Sequence, residues 1–334
     1  MPKLFINLLG WNHRSKLHAA INSVLAQGFR DFDFVYTDNA STDGSTDFVK
    51  KTFPQVQVKQ NKQNLGYAAG HNLAFQQTDA ELVMVLNPDV ILDTDFLKHI
   101  VRAFDDHRVA VAGGKMLRPG PGRVLDGTGV VINRARRARE RGQREHDQGQ
   151  YDRDRAVFGV SGTAAVFRKS ALEQTKVPKA DGGFEYFDED FFAYWEDVDL
   201  SWRLRLWGFT CRYVPQAVLY HERLAGSSPG GYKKIAAFIS HHKQLPDNVK
   251  KWNWKNHLFC IIKNDFGWPF WRDLPLILAR ELAMLVFILI FEPKTLGVLP
   301  RFFRELPVML AKRRYIMAHK KVGANVVLPW FKNS

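Results

Sequence analysis

The chain has 334 residues, 46% hydrophobic and 13% aromatic, enough for one large α/β domain with an appendage or for two domains. Two cysteines, Cys211 and Cys260, exclude a disulfide-built scaffold and point to a reducing compartment. The formal charge of +14 is lopsided, because residues 225–334 hold 18 Lys and Arg against 6 Asp and Glu, so a near-neutral body carries a basic tail suited to nucleic acid or lipid headgroups.

In chain order, residues 4–9 form an apolar run with neither a basic leader nor a small-residue cleavage pattern, and read as a first strand, not a signal peptide. Helical spacing follows at Leu17, Ile21, Val24 and Leu25, predicting a helix over 15–27. A strand at 32–36 ends in TDNASTDGS (37–45), followed by a helix to about residue 53 and a strand at 56–59. A helix over about 67–77, a strand at 82–86 ending in Asn87-Pro88-Asp89, a helix over about 95–105 and a strand at 109–112 continue the alternation. Strands and helices at this spacing predict a doubly wound, mostly parallel α/β sheet, which binds ligands beyond the carboxyl ends of its strands. The polar loops 37–45 and 87–89 both fall at such ends. Neither a GxGxxG fingerprint nor a P-loop lysine is present, which disfavours a dehydrogenase or a kinase-type NTPase.

Residues 134–155, RARRARERGQREHDQGQYDRDR, lack apolar periodicity and read as a mobile, solvated loop. Order resumes over 157–167, where small residues around Gly162 permit a close backbone approach to a ligand. The stretch 184–222 is the densest in signal: seven acids between 185 and 199, aromatics between them, and a helix from about Glu196 with Trp195, Val198, Trp202 and Leu206 on one side. Gly208 ends it, a short strand covers 210–214, and the chain turns at Pro215 and runs through 217–220 to His221. Beyond, residues 232–264 look helical and basic. Residues 274–291 are strongly apolar but interrupted by Arg280 and Glu281, leaving ten uninterrupted residues, short of a membrane span. Trp268 and Trp271 on one side and Arg301, Arg304, Lys312, Arg313 and Arg314 on the other suit a helix lying in a membrane interface.

Trp11-Asn12, DNASTDGS (38–45), NLGYAAGHN (64–72), LNPDV (86–90), GTAAVFR (162–168), FDEDFFAYWEDVDLSWRLRLWGF (187–209) and VPQAVLYHE (214–222) occur in this order over about residues 3–228. Together they resemble the family 2 glycosyltransferases of the GT-A fold, and most closely their rhamnosyltransferase-like branch. The resemblance implies a catalytic domain over 1–228, with a nucleotide-sugar half (about 1–115), an acceptor half (about 156–228) and the charged loop 134–155, and a helical membrane-surface extension over 229–334. It implies inverting transfer of a sugar from a nucleotide diphosphate to a hydroxyl of a polysaccharide or lipid-linked acceptor in cell-envelope glycan synthesis. Rhamnose is the preferred sugar; galactofuranose, glucose and N-acetylglucosamine stay open, as does a non-catalytic nucleotide-sugar or polyanion-binding protein.

The motifs place the nucleotide sugar against Asn12, Asp38, Asn39, Gly66, Asn72, Asn87, Asp89 and Gly162. Asp38 is suited to a base or ribose, with an Asx turn as its alternative, and Asn72 to bracing its loop. Asp89 stands at the family's metal-binding Asp-x-Asp, but Asn87 replaces the first acid. His221 is the further ligand the resemblance suggests for Mn²⁺ or Mg²⁺, and an imidazole favours Mn²⁺. Asp197, at a helix N-terminus whose N–H groups favour a carboxylate, is the expected general base, with its neighbour Glu196 as rival. Asp199 is expected to cap or to pair with Arg203, and Trp195 to wall the acceptor side. The expected partners are a nucleotide-sugar donor, a glycan or lipid-linked acceptor and an anionic membrane surface at the cytoplasmic face; nucleic acid is disfavoured.

Overall fold

Short apolar runs separated by amphipathic stretches place β1 at Leu4–Gly10, α1 at Arg14–Leu25, β2 at Phe32–Asp38, α2 at Ser45–Thr52, β3 at Gln57–Gln60, α3 at Gly66–Phe75 and β4 at Leu82–Leu86. The computed structural model describes residues 2–152, 156–222 and 235–332. Next come β5 (Val90–Leu92), α4 (Phe96–Val101), β6 (Val109–Leu117), β7 (Leu125–Gly127), β8 (Val130–Asn133), β9 (Ala138–Glu140), β10 (Ala156–Val157) and β11 (Val166–Arg168). The domain continues with α5 (Lys169–Thr175), the hairpin β12 (Val177–Pro178) and β13 (Phe184–Glu185), α6 (Glu196–Leu206) and β14 (Thr210–His221).

The main sheet runs β10-β14-β6-β11-β4-β1-β2-β3, with β5 added on β14 and β7 on β6. β1 lies parallel to both β2 and β4, β2 to β3, and β6 to β14; β11 enters antiparallel between β4 and β6. This is the mostly parallel, doubly wound α/β architecture that the sequence predicts. Alternation along β1 sends Leu4, Ile6 and Leu8 to a core shared with α1, α2 and α4, and Phe5 to a second core shared with α3, α5 and α6. With both faces covered, β1 and β4 are apolar apart from buried Asn7, which hydrogen-bonds to Thr37 (2.6 Å) and His71 (3.0 Å). The parallel register sets Gly10 beside Asp38 and Leu8 beside Leu86, so the polar loops that follow β1, β2 and β4 open on one edge.

Four regions depart from expectation. Residues 134–152 are ordered: β9 pairs with β8, and Arg136 is fully buried against Asp265 (2.7 Å), Asp273 (2.9 Å) and the Phe331 ring. A charge run reads as solvated when its partners stand more than a hundred residues away in the chain; residues 153–155 of that run lie outside the described residues. β14 is one strand of twelve residues, with its irregularity between Val214 and Val218 in place of a full turn. The basic helical stretch divides into α7 (Ile235–Gln244) and α8 (Asp247–Asn264) around Pro246, and the expected domain boundary near 228 lies outside the described residues.

The fourth is the apolar segment. It forms α9 (Gly267–Phe291), 25 residues and long and apolar enough by length and composition to cross a membrane. Arg280 and Glu281 do not interrupt it because they pair with each other and with His257 of α8. α10 (Leu299–His319), α11 (Ala324–Val327) and β15 (Phe331–Lys332) complete the tail. A third core fastens it to the domain: Val198, Trp202 and Leu206 of α6 meet Phe259 and Cys260 of α8 and Met309 and Ile316 of α10, while β15 pairs with β8.

Candidate active site

The loops after β1 and β2 are tied to each other before any ligand is considered. The Asn12 amide donates to Ser41 Oγ (2.9 Å), and its side-chain oxygen accepts from the Thr42 amide (2.8 Å). Asp38 is fully buried, and its carboxylate accepts from Tyr36 OH (3.1 Å), the Ser41 amide (3.1 Å) and Thr46 Oγ1 (2.9 Å). These partners make the Asp38 carboxylate a brace of loop 38–46, with its backbone partner three residues on. Asn39 donates to Asn64 Oδ1 and Gly66 O and accepts from Asn61 and the Leu65 amide, which stitches loop 61–66 to β2. Gly66 has φ +79°, and a Cβ there would stand 2.5 Å from Phe192 O, so its close neighbour is the loop before α6. Asn72 is buried and brackets Phe187, donating to its carbonyl (2.8 Å) and accepting from its amide (2.9 Å). Its bracing role is what the side chain performs here. The structure thus keeps Asn12 at the loop rim and turns Asp38, Asn39 and Asn72 inward.

Register decides what meets Asp89. β5 runs antiparallel to the end of β14, so His221 sits opposite Val90, and the Glu222 amide donates to Asp89 O (3.2 Å). His221 Nε2 lies 3.3 Å from Asp89 Oδ2, and its Nδ1 lies 2.8 Å from Oδ2 of buried Asp126 on β7. If Nδ1–H donates to Asp126, Nε2 turns a lone pair toward a carboxylate. That contact is favourable only with a proton or a cation between them. A carboxylate that orients a histidine from behind is the usual support for a metal ligand. The donor set therefore fits a divalent cation held by Asp89 and His221, although no group of three or more His, Cys, Asp or Glu among the described residues is placed to hold one. Asp126 was invisible in the sequence, since nothing near LDG marks it. Asn87 keeps its side chain half-buried, and its amide donates to Thr163 O (3.0 Å).

Thr163 leads to the second half of the site. The amide of its neighbour Gly162 donates to Asp197 Oδ2 (2.9 Å), and Tyr67 OH donates to Gly162 O (2.5 Å). A Cβ on Gly162 would stand 2.6 Å from the Tyr67 hydroxyl, which is why a glycine is needed there. Asp197 Oδ1 accepts from the Val198 amide (2.7 Å). Every residue of α6 is buried except Asp197. Glu196 is buried, with one carboxylate oxygen lacking a hydrogen-bond partner; burial, then the Asp197 charge, pushes it well above the usual glutamate range. Trp195, half-buried, precedes the helix at φ +73° with its ring 4.6 Å from that of His257.

The remaining acids of the dense stretch are not at this site. Lys312 of α10 reaches Glu185 (2.5 Å), Asp188 (2.6 Å) and Asp190 (2.8 Å), and Lys263 of α8 reaches Asp188 and Asp199 (2.9 Å). Asp199 also pairs with Arg203 (3.2 Å), as its spacing predicts. Burial alone would lower Lys312, but Asp188, Glu185 and Asp190 outweigh it and hold it above the ordinary lysine range. Burial would likewise raise Asp188, yet Lys263 and Lys312 hold it below the carboxylate range. Part of the tail's positive charge is thus spent inside the protein.

Residues 11–175 match the family described as Glycosyl transferase family 2. The N-acetylglucosaminyl-diphospho-decaprenol L-rhamnosyltransferase of Mycobacterium tuberculosis is 28% identical over 264 residues, covering 71% of this chain and 82% of that protein. The structure of S. aureus TarS 1–349 in complex with UDP superimposes with a TM-score of 0.56 at 18% identity, covering 95% of this chain and 87% of that one; of the longer TarS chain, 53% is covered. The mannosyltransferase PcManGT from Pyrobaculum calidifontis, in complex with GDP-Man and Mn²⁺, superimposes with a TM-score of 0.52 at 15% identity, covering 98% of this chain and 87% of that one. The structural likenesses establish a shared fold, the GT-A arrangement.

Proposed function

Because this chain carries a family 2 glycosyltransferase domain in the GT-A fold, we propose that it is an inverting, metal-dependent transferase moving a sugar from a nucleotide diphosphate to a hydroxyl of a lipid-linked or polysaccharide acceptor in cell-envelope glycan synthesis. The observation that carries this reading is the path Asp197–Gly162–Thr163–Asn87. Two hydrogen bonds join the one unburied residue of α6 to the turn that holds Asp89. Rhamnose is the preferred sugar, by likeness to the mycobacterial relative, whose name specifies an L-rhamnosyltransferase.

Asp197 is the base. Its two backbone N–H partners fix the carboxylate's direction, and it takes the acceptor hydroxyl's proton as that oxygen attacks the anomeric carbon. Burial and the neighbouring Asp197 charge favour the protonated form of Glu196, which leaves Asp197 as the carboxylate placed to take up a proton. A Mn²⁺ or Mg²⁺ held by Asp89 and His221 would neutralise the charge that the diphosphate gains on departure. A single base facing the anomeric carbon from the side opposite the diphosphate favours one displacement with inversion. The rim residue Asn12 and the small residues Gly66 and Gly162 shape the donor side, Asp38, Asn39, Asn72 and Asn87 hold the loops around it, and Trp195 walls the acceptor side.

The tail supports a position on the cytoplasmic face of a membrane. One flank of α9 is fixed to the protein: Asp273 binds Arg134 and Arg136, Ile277 and Ile288 are buried, and Glu292 at its far end meets His242 and Lys250. With both ends held by one body, a helix about 37 Å long lies along the protein instead of crossing a bilayer. Its other flank exposes Trp271, Leu278, Leu282, Leu289 and Ile290, joined by Phe303 of α10. An exposed apolar stripe of this kind suits an interfacial helix.

The test is a screen of the purified chain with Mn²⁺ against nucleotide sugars, read by thermal shift and then by product mass. Release of dTDP from dTDP-rhamnose with an inverted product is expected; binding without turnover for every donor and acceptor pair would instead indicate a binding protein. In liposome flotation with anionic vesicles, Leu282→Ser/Leu289→Ser is expected to lose recovery. Equal recovery would remove the membrane assignment.

A further inference from the structure

The backbone that delivers Asp197 is held in an unfavourable shape. Phe192, Tyr194 and Trp195 have φ of +64°, +71° and +73°, values that non-glycine residues adopt only at an energetic cost. Such a run persists only where surrounding groups over-determine it. On α3, the Tyr67 and Ala68 amides donate to Phe192 O (2.7 and 3.2 Å). On α8, fully buried Asn256 turns its side-chain amide to the same loop, with the two Nδ2 hydrogens shared among Phe191 O (2.9 Å), Ala193 O (2.9 Å) and Tyr194 O (2.8 Å). Three carbonyls converging on one atom require that atom to be the nitrogen, since an oxygen there would face only lone pairs. Asn256 Oδ1 is buried without a hydrogen-bond partner, a desolvation cost that a core position would shed by carrying an apolar residue.

We propose that Asn256 is a positioning residue of the transfer reaction: by holding carbonyls 191, 193 and 194 it fixes the entry into α6 and so the direction of the Asp197 carboxylate. This rests on Asp197 being the base. The domain supplies the base, and the C-terminal helices supply the group that aims it. Neither the acid-rich motif nor its resemblance points to residue 256, which stands 59 positions downstream of Asp197 in an otherwise unremarked basic helix.

Four full-length proteins test this: wild type, Asn256→Ala, Cys260→Ala and Asp197→Asn. Cys260→Ala truncates a buried side chain one turn along the same helix, in the core shared with Phe191 and Val198, and removes none of the Asn256 hydrogen bonds to the loop carbonyls. Readouts are turnover of the donor that the wild type uses, dTDP-rhamnose being expected, and hydrogen exchange of amides 192–199, which needs no donor. Asn256→Ala is expected to lose about 100-fold in kcat, the scale of a small misplacement at a reacting centre, with KM for the donor within about twofold. Its 192–199 amides are expected to exchange about tenfold faster while those of α4 are unchanged. Cys260→Ala is expected to lose comparable thermal stability and keep its kcat. Asn256→Ser, which retains one donor, is expected to fall between wild type and Ala, and serves if Ala does not fold. Equal kcat in folded Asn256→Ala and wild type, or equal losses in Asn256→Ala and Cys260→Ala, would overturn the proposal alone. Turnover retained by Asp197→Asn would remove the base assignment and this proposal together.

Discussion

Two groups of acids in the molecule have opposite fates. Glu185, Asp188, Asp190 and Asp199 face Lys263, Lys312 and Arg203, an ion network buried between the domain and its tail. Asp89, Glu196 and Asp197 face a histidine, backbone N–H groups and one another, while Asp126 behind His221 also meets Arg118 (3.4 Å). Carboxylates answered by lysine and arginine are structural, because removing either partner strands a buried charge. Carboxylates left beside neutral donors keep the capacity to take up a proton or a cation. What an acid does here follows from what faces it, and the sequence shows the acid without showing its partner.

The strongest way to break this division is to unpair the first cluster. Lys312→Met leaves three carboxylates without their shared cation and is expected to cost about 3–5 kcal/mol in urea unfolding. A loss below about 1 kcal/mol would mean the network is not structural. The second cluster is sharpened by Asp126→Ala, which removes the support behind His221. A loss of about 10–100-fold in Mn²⁺ affinity is expected by calorimetry with nucleoside diphosphate present, and unchanged affinity would detach His221 from the metal.

A smaller effect separates the adjacent acids. Glu196→Gln mimics a protonated glutamate, so turnover is expected to fall less than about tenfold, whereas a general base would lose more. The same variant carries a stability signature. Because the folded protein holds the Glu196 proton more tightly than the unfolded chain, its contribution is complete below the ordinary glutamate value of 4.5. It is then lost as pH rises through the raised value. Glu196→Gln is expected to flatten that decline in thermal melts, and an unaltered slope would argue that Glu196 is ionised in the fold.

Much of the domain was legible because its signals are local. The strand runs and their loops fell within a few residues of the observed elements, and the spacing of Val198, Trp202 and Leu206 anticipated a buried face of α6. The Asp199–Arg203 pair was legible for the same reason, being one helical turn apart. What escaped were partners distant in the chain. Arg136 looked solvated because Asp265 and Asp273 lie in the tail, and the tail's lysines looked available for lipid although Lys263 and Lys312 are buried. Asp126 is joined to His221 only by the pairing of β7 and β14 with β6. Asp38 and Asn39 read as ligand groups, yet their hydrogen bonds are spent on neighbouring loops, which no local pattern reveals.

The most direct test of the account compares wild type with Asp197→Asn for Mn²⁺-dependent donor turnover, with nucleotide affinity measured on the same samples. The amide keeps the shape and loses the basicity, so turnover is expected to fall by about 10²–10⁴-fold while nucleotide binding is retained. Turnover within about threefold of wild type would contradict the account, because the single unburied residue of α6 would then have no part in taking the proton.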